Sequence, residues 1–185
     1  MQTEIIFAGF GGQGVLFSGM LMTYAGMDSG KNATWLPSYG PEMRGGTAHV
    51  TVIISDEEIG SPLVENPGAA LVFNIPSMKK YEAKIKSGGV LVYNSSLINL
   101  PHKRDDITYV PIPASKLAVE MGNPRIANVI ALGALTQAIG ALPLEAVHHA
   151  IKNHLPPKKQ PLVPLNQEAL KRGAALVENN SKFKA

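Results

Sequence analysis

The chain has 185 residues, 45% of them hydrophobic and 17% charged, a balance that suits one soluble globular domain with a sizeable core. Its net charge of +3 is thinly spread, around Lys79-Lys80, Lys103-Arg104, Lys158-Lys159 and the C-terminus, and only 6% of residues are aromatic, so it lacks the dense basic stripe and exposed rings that nucleic-acid binding needs. It has no cysteine, which excludes disulfides, thiolate nucleophiles and cysteine-ligated iron–sulfur clusters within this chain.

The low charge content points to a surface partly covered by a partner. The longest apolar stretch, residues 126–142, carries Asn128, Thr136, Gln137 and Gly140 and is too short and too polar for a membrane span. Met1-Gln2-Thr3-Glu4 lacks the positive start of a signal peptide, and a cytoplasmic location is expected.

In chain order, the apolar run Ile5-Ile6-Phe7-Ala8 leads into Gly9-Phe10-Gly11-Gly12-Gln13-Gly14, and residues 15–27 then read as a buried helix. Strand, glycine loop and helix are the setting in which G-x-G-x-x-G has physical meaning. Gly9 is expected to permit the turn, Gly11 to let a ligand approach the backbone, and Gly14 to let the helix lie close to the strand. The free N–H groups and dipole of that helix make an anion site. The alternative is a tight βα turn that holds no ligand. An NAD site also wants an acidic residue about 20 positions past the loop. Thr34-Trp35-Leu36-Pro37-Ser38 stands there instead, and Asp28 comes too early. Phosphate binding or close packing is therefore expected rather than a standard NAD site.

Residues 28–32 form a turn and 33–36 a short second strand. Residues 37–47 follow as a long proline- and glycine-rich loop carrying Tyr39, Glu42, Met43 and Arg44, and loops of that length are often functional. Residues 49–54 alternate as a strand. Residues 69–73 and 90–93 are continuous apolar runs suited to buried parallel strands. Between them, residues 76–86 form an amphipathic helix with Met78, Tyr81 and Ile85 inward and Lys79, Lys80, Glu82 and Lys84 outward. Asn94-Ser95-Ser96 is a turn, 107–112 a last strand, and Pro113-Ala114-Ser115 starts a helix that stops near Gly122.

The remainder reads as helices: 126–139, apolar nearly all round; 144–154, amphipathic; a stiff connector at 156–161; and a last helix capped by Asn166, before a frayed tail at 181–185. Strands alternating with helices predict a single α/β domain over 1–185. Its architecture is a three-layer α/β/α, Rossmann-like, mostly parallel sheet with a helical C-terminal third. Ligands sit at the strands' C-terminal ends in such sheets, where the glycine loop, the 38–47 loop and Asn94-Ser95-Ser96 all fall.

Arg44, flanked by glycines, is suited to pairing with a carboxylate or phosphate, or else with Glu42. Tyr39 lines a pocket or packs, and Gln13 reaches a ligand or bonds the loop backbone. The five histidines do not form a metal set: His148 and His149 are adjacent and expected to diverge, and His49, His102 and His154 read as structural or surface residues. Ser38, Ser95 and Ser96 lack a nucleophile-elbow sequence. The residues read as a ligand-contacting α/β domain without a complete catalytic apparatus.

Residues 9–15 joined to the run from Pro37 to Ala48 resemble the gamma subunit of 2-oxoacid:ferredoxin oxidoreductases, closest to the 2-oxoglutarate and branched-chain types. Asn123-Pro124-Arg125, Asn128 and Leu132-Gly133-Ala134-Leu135 resemble the same family. The resemblance implies one part of a larger enzyme that decarboxylates a 2-oxoacid with coenzyme A, giving acyl-CoA, carbon dioxide and reduced ferredoxin. It places thiamine diphosphate and iron–sulfur clusters on alpha, beta and delta partner chains, with ferredoxin reached through the complex. This chain is then expected to pack on the alpha chain and help form the coenzyme A site, through Gly11, Gly12, Gln13, Gly14, Ser38, Tyr39, Arg44, Gly45 and Gly46. Other readings are the beta subunit of indolepyruvate ferredoxin oxidoreductase, a stand-alone nucleotide-binding module and a purely structural subunit.

Overall fold

The computed structural model describes residues 1–39 and 46–180. Six strands form one sheet: β1 (Gln2–Phe10), β2 (Asn32–Tyr39), β3 (Thr47–Ser55), β4 (Ala69–Val72), β5 (Val90–Asn94) and β6 (Thr108–Ile112). Their order across the sheet is β2-β3-β1-β4-β5-β6. β1, β4, β5 and β6 run parallel, and β3 runs antiparallel to both of its neighbours. The connection from β2 to β3 is too short for the crossover that a parallel pair requires, so this corner of the sheet folds as a hairpin. β4 and β5 are buried at every position, as strands covered on both faces must be.

The helices are α1 (Val15–Asp28), α2 (Ile75–Glu82), α3 (Ala114–Glu120), α4 (Ala127–Ile139), α5 (Leu144–His154) and α6 (Val163–Glu178). Alternation along the strands sends Ile5, Phe7, Val50, Val52 and Leu71 to one face, where they pack with α1, α4, α5 and α6. Ile6, Ala8, Ala70, Val72 and Leu91 point to the other face and meet Met78 and Tyr81 of α2, with Ile85 just beyond it. The three layers are present but unequal, since among the described residues α2 is the one helix on the second face, where Ile85, Ile98 and Leu100 from the loops complete the cover.

α4 is buried nearly all round because it lies between the sheet and α6. The two helices touch backbone to backbone at Gly133 and Gly173. A Cβ on Gly133 would run into the Leu170 backbone, and one on Gly173 into the backbone of Ile130.

Several boundaries differ from expectation. β2 runs to Tyr39 rather than stopping at Leu36, and it includes Pro37. It is an edge strand paired only with β3, a position where the missing proline N–H does little harm. α2 ends at Glu82 rather than Lys86, because the Arg104 guanidinium donates to the carbonyls of Glu82 (3.0 Å) and Ile85 (2.6 Å) and stands in for further helical amides. Asn166 does not cap α6. The connector is a 3-10 helix, Pro157–Leu162, that runs straight into α6, so Asn166 lies inside it and donates to the Leu162 carbonyl at 2.8 Å. The tail at 181–185 lies outside the described residues.

Candidate functional site

Register places both glycine-lined turns on one rim. Phe10 pairs with Thr47 and Gly9 with Ala48, so the loop leaving β1 and the turn entering β3 lie side by side. A hydrogen bond from Gly11 N–H to the Gly46 carbonyl (2.9 Å) joins them. Asn94-Ser95-Ser96 ends a parallel strand on the same rim, but the side chains of Asn94 and Ser96 are engaged. Asn94 donates to Ser115 Oγ at 2.7 Å and accepts from Ser96 N–H, and Ser96 Oγ accepts from Lys116 N–H.

The glycines of the loop act differently from their expected roles. Gly9 has no left-handed backbone. It lies in β1, and a side chain there would press on Gln13, Val15 and Phe73. Left-handed backbone falls instead at Gly12 (φ 98°) and Gly14 (φ 77°), which turn the chain into α1. What approaches Gly14 is not the strand but Asn128 at the start of α4, whose Nδ2 donates to the Gly14 carbonyl at 3.1 Å. Gln13 folds inward, accepting from Phe10 N–H (2.7 Å) and donating to the Phe73 carbonyl (3.3 Å). Its amide thus braces the loop against the ends of β1 and β4.

α1 opens with Gly14 as N-cap and no side-chain cap, and Ser18 N–H is the first to find its helical carbonyl, Gly14 O. The amides before it are left for a ligand or solvent. They stand beside a cavity of about 450 Å³, lined by Gly11, Gly12, Gly14, Leu16, Phe17, Trp35 and Gly46 among others. Its walls are mostly apolar and backbone, a surface that accepts a chain-like organic group and offers N–H donors at one end.

A second cavity, about 270 Å³, opens on the opposite face of the same rim. Ser38, Thr47, His49, Ser77 and Lys80 line it. Ser38 pairs with His49 across β2 and β3, which is why both face this side. Burial first, then the positive charges of Lys80 and Lys84, hold the His49 pKa below its ordinary value. Burial pushes the neighbouring Tyr81 phenol up to about 12.

The expected site residues are therefore divided by the sheet. Gly11, Gly12, Gly14 and Gly46 line the first cavity, Ser38 lines the second, and Gln13 holds the loop between β1 and β4. The Tyr39 backbone ends β2 opposite Ala48. The Tyr39 side chain, Arg44 and Gly45 lie outside the described residues.

The sequence reads His49 as a structural or surface residue and Lys80 as an outward residue of the helix, and gives no role to Ser77. The available signal was the alternation of Thr47, His49 and Thr51, a polar row on a strand whose other face is wholly apolar. Adjacent His148 and His149 do not diverge as expected. Both reach Glu145 Oε1, at 3.3 and 3.1 Å, because residues three and four apart share a helix face. No helix among the described residues is long and apolar enough to cross a membrane.

A family model described as pyruvate ferredoxin/flavodoxin oxidoreductase matches residues 4–176. Ketoisovalerate oxidoreductase subunit VorA of Methanothermobacter marburgensis is 33% identical over 180 residues, 97% of this chain but 37% of that protein, so the chain spans little more than a third of this relative. The keto/oxoacid ferredoxin oxidoreductase gamma subunit of Geobacter sulfurreducens superposes with a TM-score of 0.81 at 32% identity, covering 96% of this chain and 99% of that one. The 2-oxoglutarate:ferredoxin oxidoreductase of Magnetococcus marinus, solved with 2-oxoglutarate, coenzyme A and succinyl-CoA, superposes with a TM-score of 0.88 at 26% identity over 99% of this chain and 32% of its own. Matched nearly end to end in sequence and in fold, the chain belongs to the pyruvate ferredoxin/flavodoxin oxidoreductase family and is of its gamma-subunit type.

Proposed function

We propose that this chain is the gamma component of a multi-subunit 2-oxoacid:ferredoxin oxidoreductase, and that its glycine-lined rim supplies part of the coenzyme A site and part of the subunit junction. The reaction consumes a 2-oxoacid, coenzyme A and oxidised ferredoxin, and yields acyl-CoA, carbon dioxide and reduced ferredoxin. Alpha, beta and delta chains carry the thiamine diphosphate and iron–sulfur clusters in this reading. A chain without cysteine has no thiolate to offer a cluster. The Magnetococcus enzyme with coenzyme A bound and the ketoisovalerate enzyme support a 2-oxoglutarate or branched-chain substrate for the whole assembly.

The observation that carries the reading is the Gly11–Gly46 hydrogen bond. It joins the two resembling motifs around one cavity, with open helix amides on one side and apolar walls on the other. The residues fit coenzyme A in kind: N–H donors for an anionic group and an apolar channel for a pantetheine arm. The chain's own part is to bind, orient and exclude water.

The test is Arg44→Ala in the assembled enzyme. A raised coenzyme A KM with the assembly intact supports ligand contact. Loss of assembly alone assigns Arg44 to the junction. A stand-alone nucleotide module would instead show a clear thermal shift of the purified chain with NAD(P) or FAD.

A further inference from the structure

The polar cavity on the α2 face has no place in the reading above, which uses only the glycine-loop side. Its chemistry is one-sided. Lys80 is exposed on α2 with its Nζ 5.0 Å from the Tyr81 ring centroid, and it makes no ion pair among the described residues. Ser77 is 5% exposed and lines the cavity. Its N–H is taken by Asn74 Oδ1 at 2.7 Å. Thr47 and Ser38 add two more hydroxyls from the strands, and half-buried His49 sits with its ring tilted 5.9 Å from that of Tyr81. Lys84 and Glu65 face His49 from an adjoining small cavity, which is also lined by Lys80. The group is thus an ammonium with no ion pair among the described residues, three hydroxyls and an imidazole able to take a proton, a donor-rich set that matches a phosphate.

Thr47 and Ala48 line both this cavity and the glycine-loop cavity. A single extended ligand crossing the rim at Thr47 therefore touches both faces of the sheet. Resting on the reading that the rim binds coenzyme A, we propose that Lys80, Ser77, Thr47 and His49 form a subsite for its terminal phosphate monoester. The pantetheine and diphosphate then lie on the glycine-loop side. A phosphate monoester carries between one and two negative charges at neutral pH, more than either phosphorus of the diphosphate, and so is the group that gains most from a cation and a proton-accepting imidazole.

The assembled enzyme is assayed with coenzyme A and with 3′-dephospho-coenzyme A. Lys80→Met is expected to raise the KM for coenzyme A by about tenfold and that for the dephospho form far less, because a charge-assisted bond is lost only from the first. Lys80→Arg restores the difference. In the full-length chain, adenosine 3′,5′-bisphosphate is expected to raise the His49 pKa measured by NMR while the other four histidines hold theirs, and adenosine 5′-phosphate is expected to do so less. Equal changes in KM for both acceptors, or a bisphosphate shift shared by all histidines, overturn the subsite. If Arg44→Ala raises the coenzyme A KM and Lys80→Met does not, the subsite falls and the parent reading stands. If neither variant changes it, both fall.

Discussion

Asn128 donates its side-chain amide to the carbonyl of Gly14 across 114 residues of sequence, and Ser18 Oγ donates back to the Asn128 carbonyl at 3.3 Å. The start of α4 and the start of α1 are thereby clamped to each other at the point where the glycine loop ends. The Ser18 bond is buried and the Asn128–Gly14 bond partly so, with Asn128 4% exposed and Ser18 fully buried. Asn128→Ala removes one bond of the clamp and is expected to destabilise the chain by about 1–2 kcal/mol. Denaturant unfolding measures the loss. The same variant should raise the coenzyme A KM in the assembled enzyme, because the loop is no longer held. An unchanged unfolding midpoint would show that the clamp contributes nothing.

Gly12 and Gly14 separate backbone strain from crowding. Both have positive φ, so an alanine at either position strains the backbone by about 1–2 kcal/mol. A Cβ at Gly12 meets nothing within 4 Å, whereas one at Gly14 comes within 2.6 Å of Asn128 Nδ2. Gly14→Ala should therefore be clearly the less stable protein in parallel melts. Gly12→Ala puts a methyl group on the wall of the apolar cavity, so its coenzyme A KM should rise with little further loss of stability. A reversed order of stability would refute the clamp.

The shared rim was readable from the chain because an apolar run meets glycines at Gly9, and because strands that alternate with helices in a parallel sheet put their C-terminal turns together. The division of the site between two faces was not readable, because it depends on register. Only when β2 extends through Pro37 to Tyr39 does Ser38 fall opposite His49, and a proline in that run argues locally for a loop. Gly9 was misread for a related reason. Its missing Cβ is required by Gln13, Val15 and Phe73, and the Phe73 contact is made only in the folded chain. Asn166 shows the limit of local capping rules: Pro164 in the first turn starts α6 earlier, and the asparagine becomes an interior residue.

The crossing of α4 and α6 tolerates no side chain at its centre. Gly133 faces the Leu170 backbone and Gly173 faces that of Ile130, so neither contact can be relieved by a rotamer change. Gly133→Ala or Gly173→Ala must push the helices apart, at an expected loss of roughly 3 kcal/mol or more. Urea titration should show a lower midpoint with α4 and α6 both affected. A variant of Gly88, which has open space around it but a φ of 77°, is the control for backbone strain alone.

Stability should also fall on mild acidification through His49. Its folded pKa lies below the ordinary 6.5, held there by burial first and then by Lys80 and Lys84. Between those two values the unfolded chain binds a proton that the folded chain refuses, so the unfolded state gains as pH drops. The contribution is fully present above pH 6.5 and is lost as pH falls toward the folded value. His49→Gln removes this proton from both states. Unfolding midpoints of the wild type and the variant, followed from pH 8 down to pH 5.5, should diverge below about pH 6.5. The wild type should lose more stability than the variant. Parallel curves across that range would mean that His49 titrates alike in both states, and that the cavity neither buries it nor sets Lys80 and Lys84 against it.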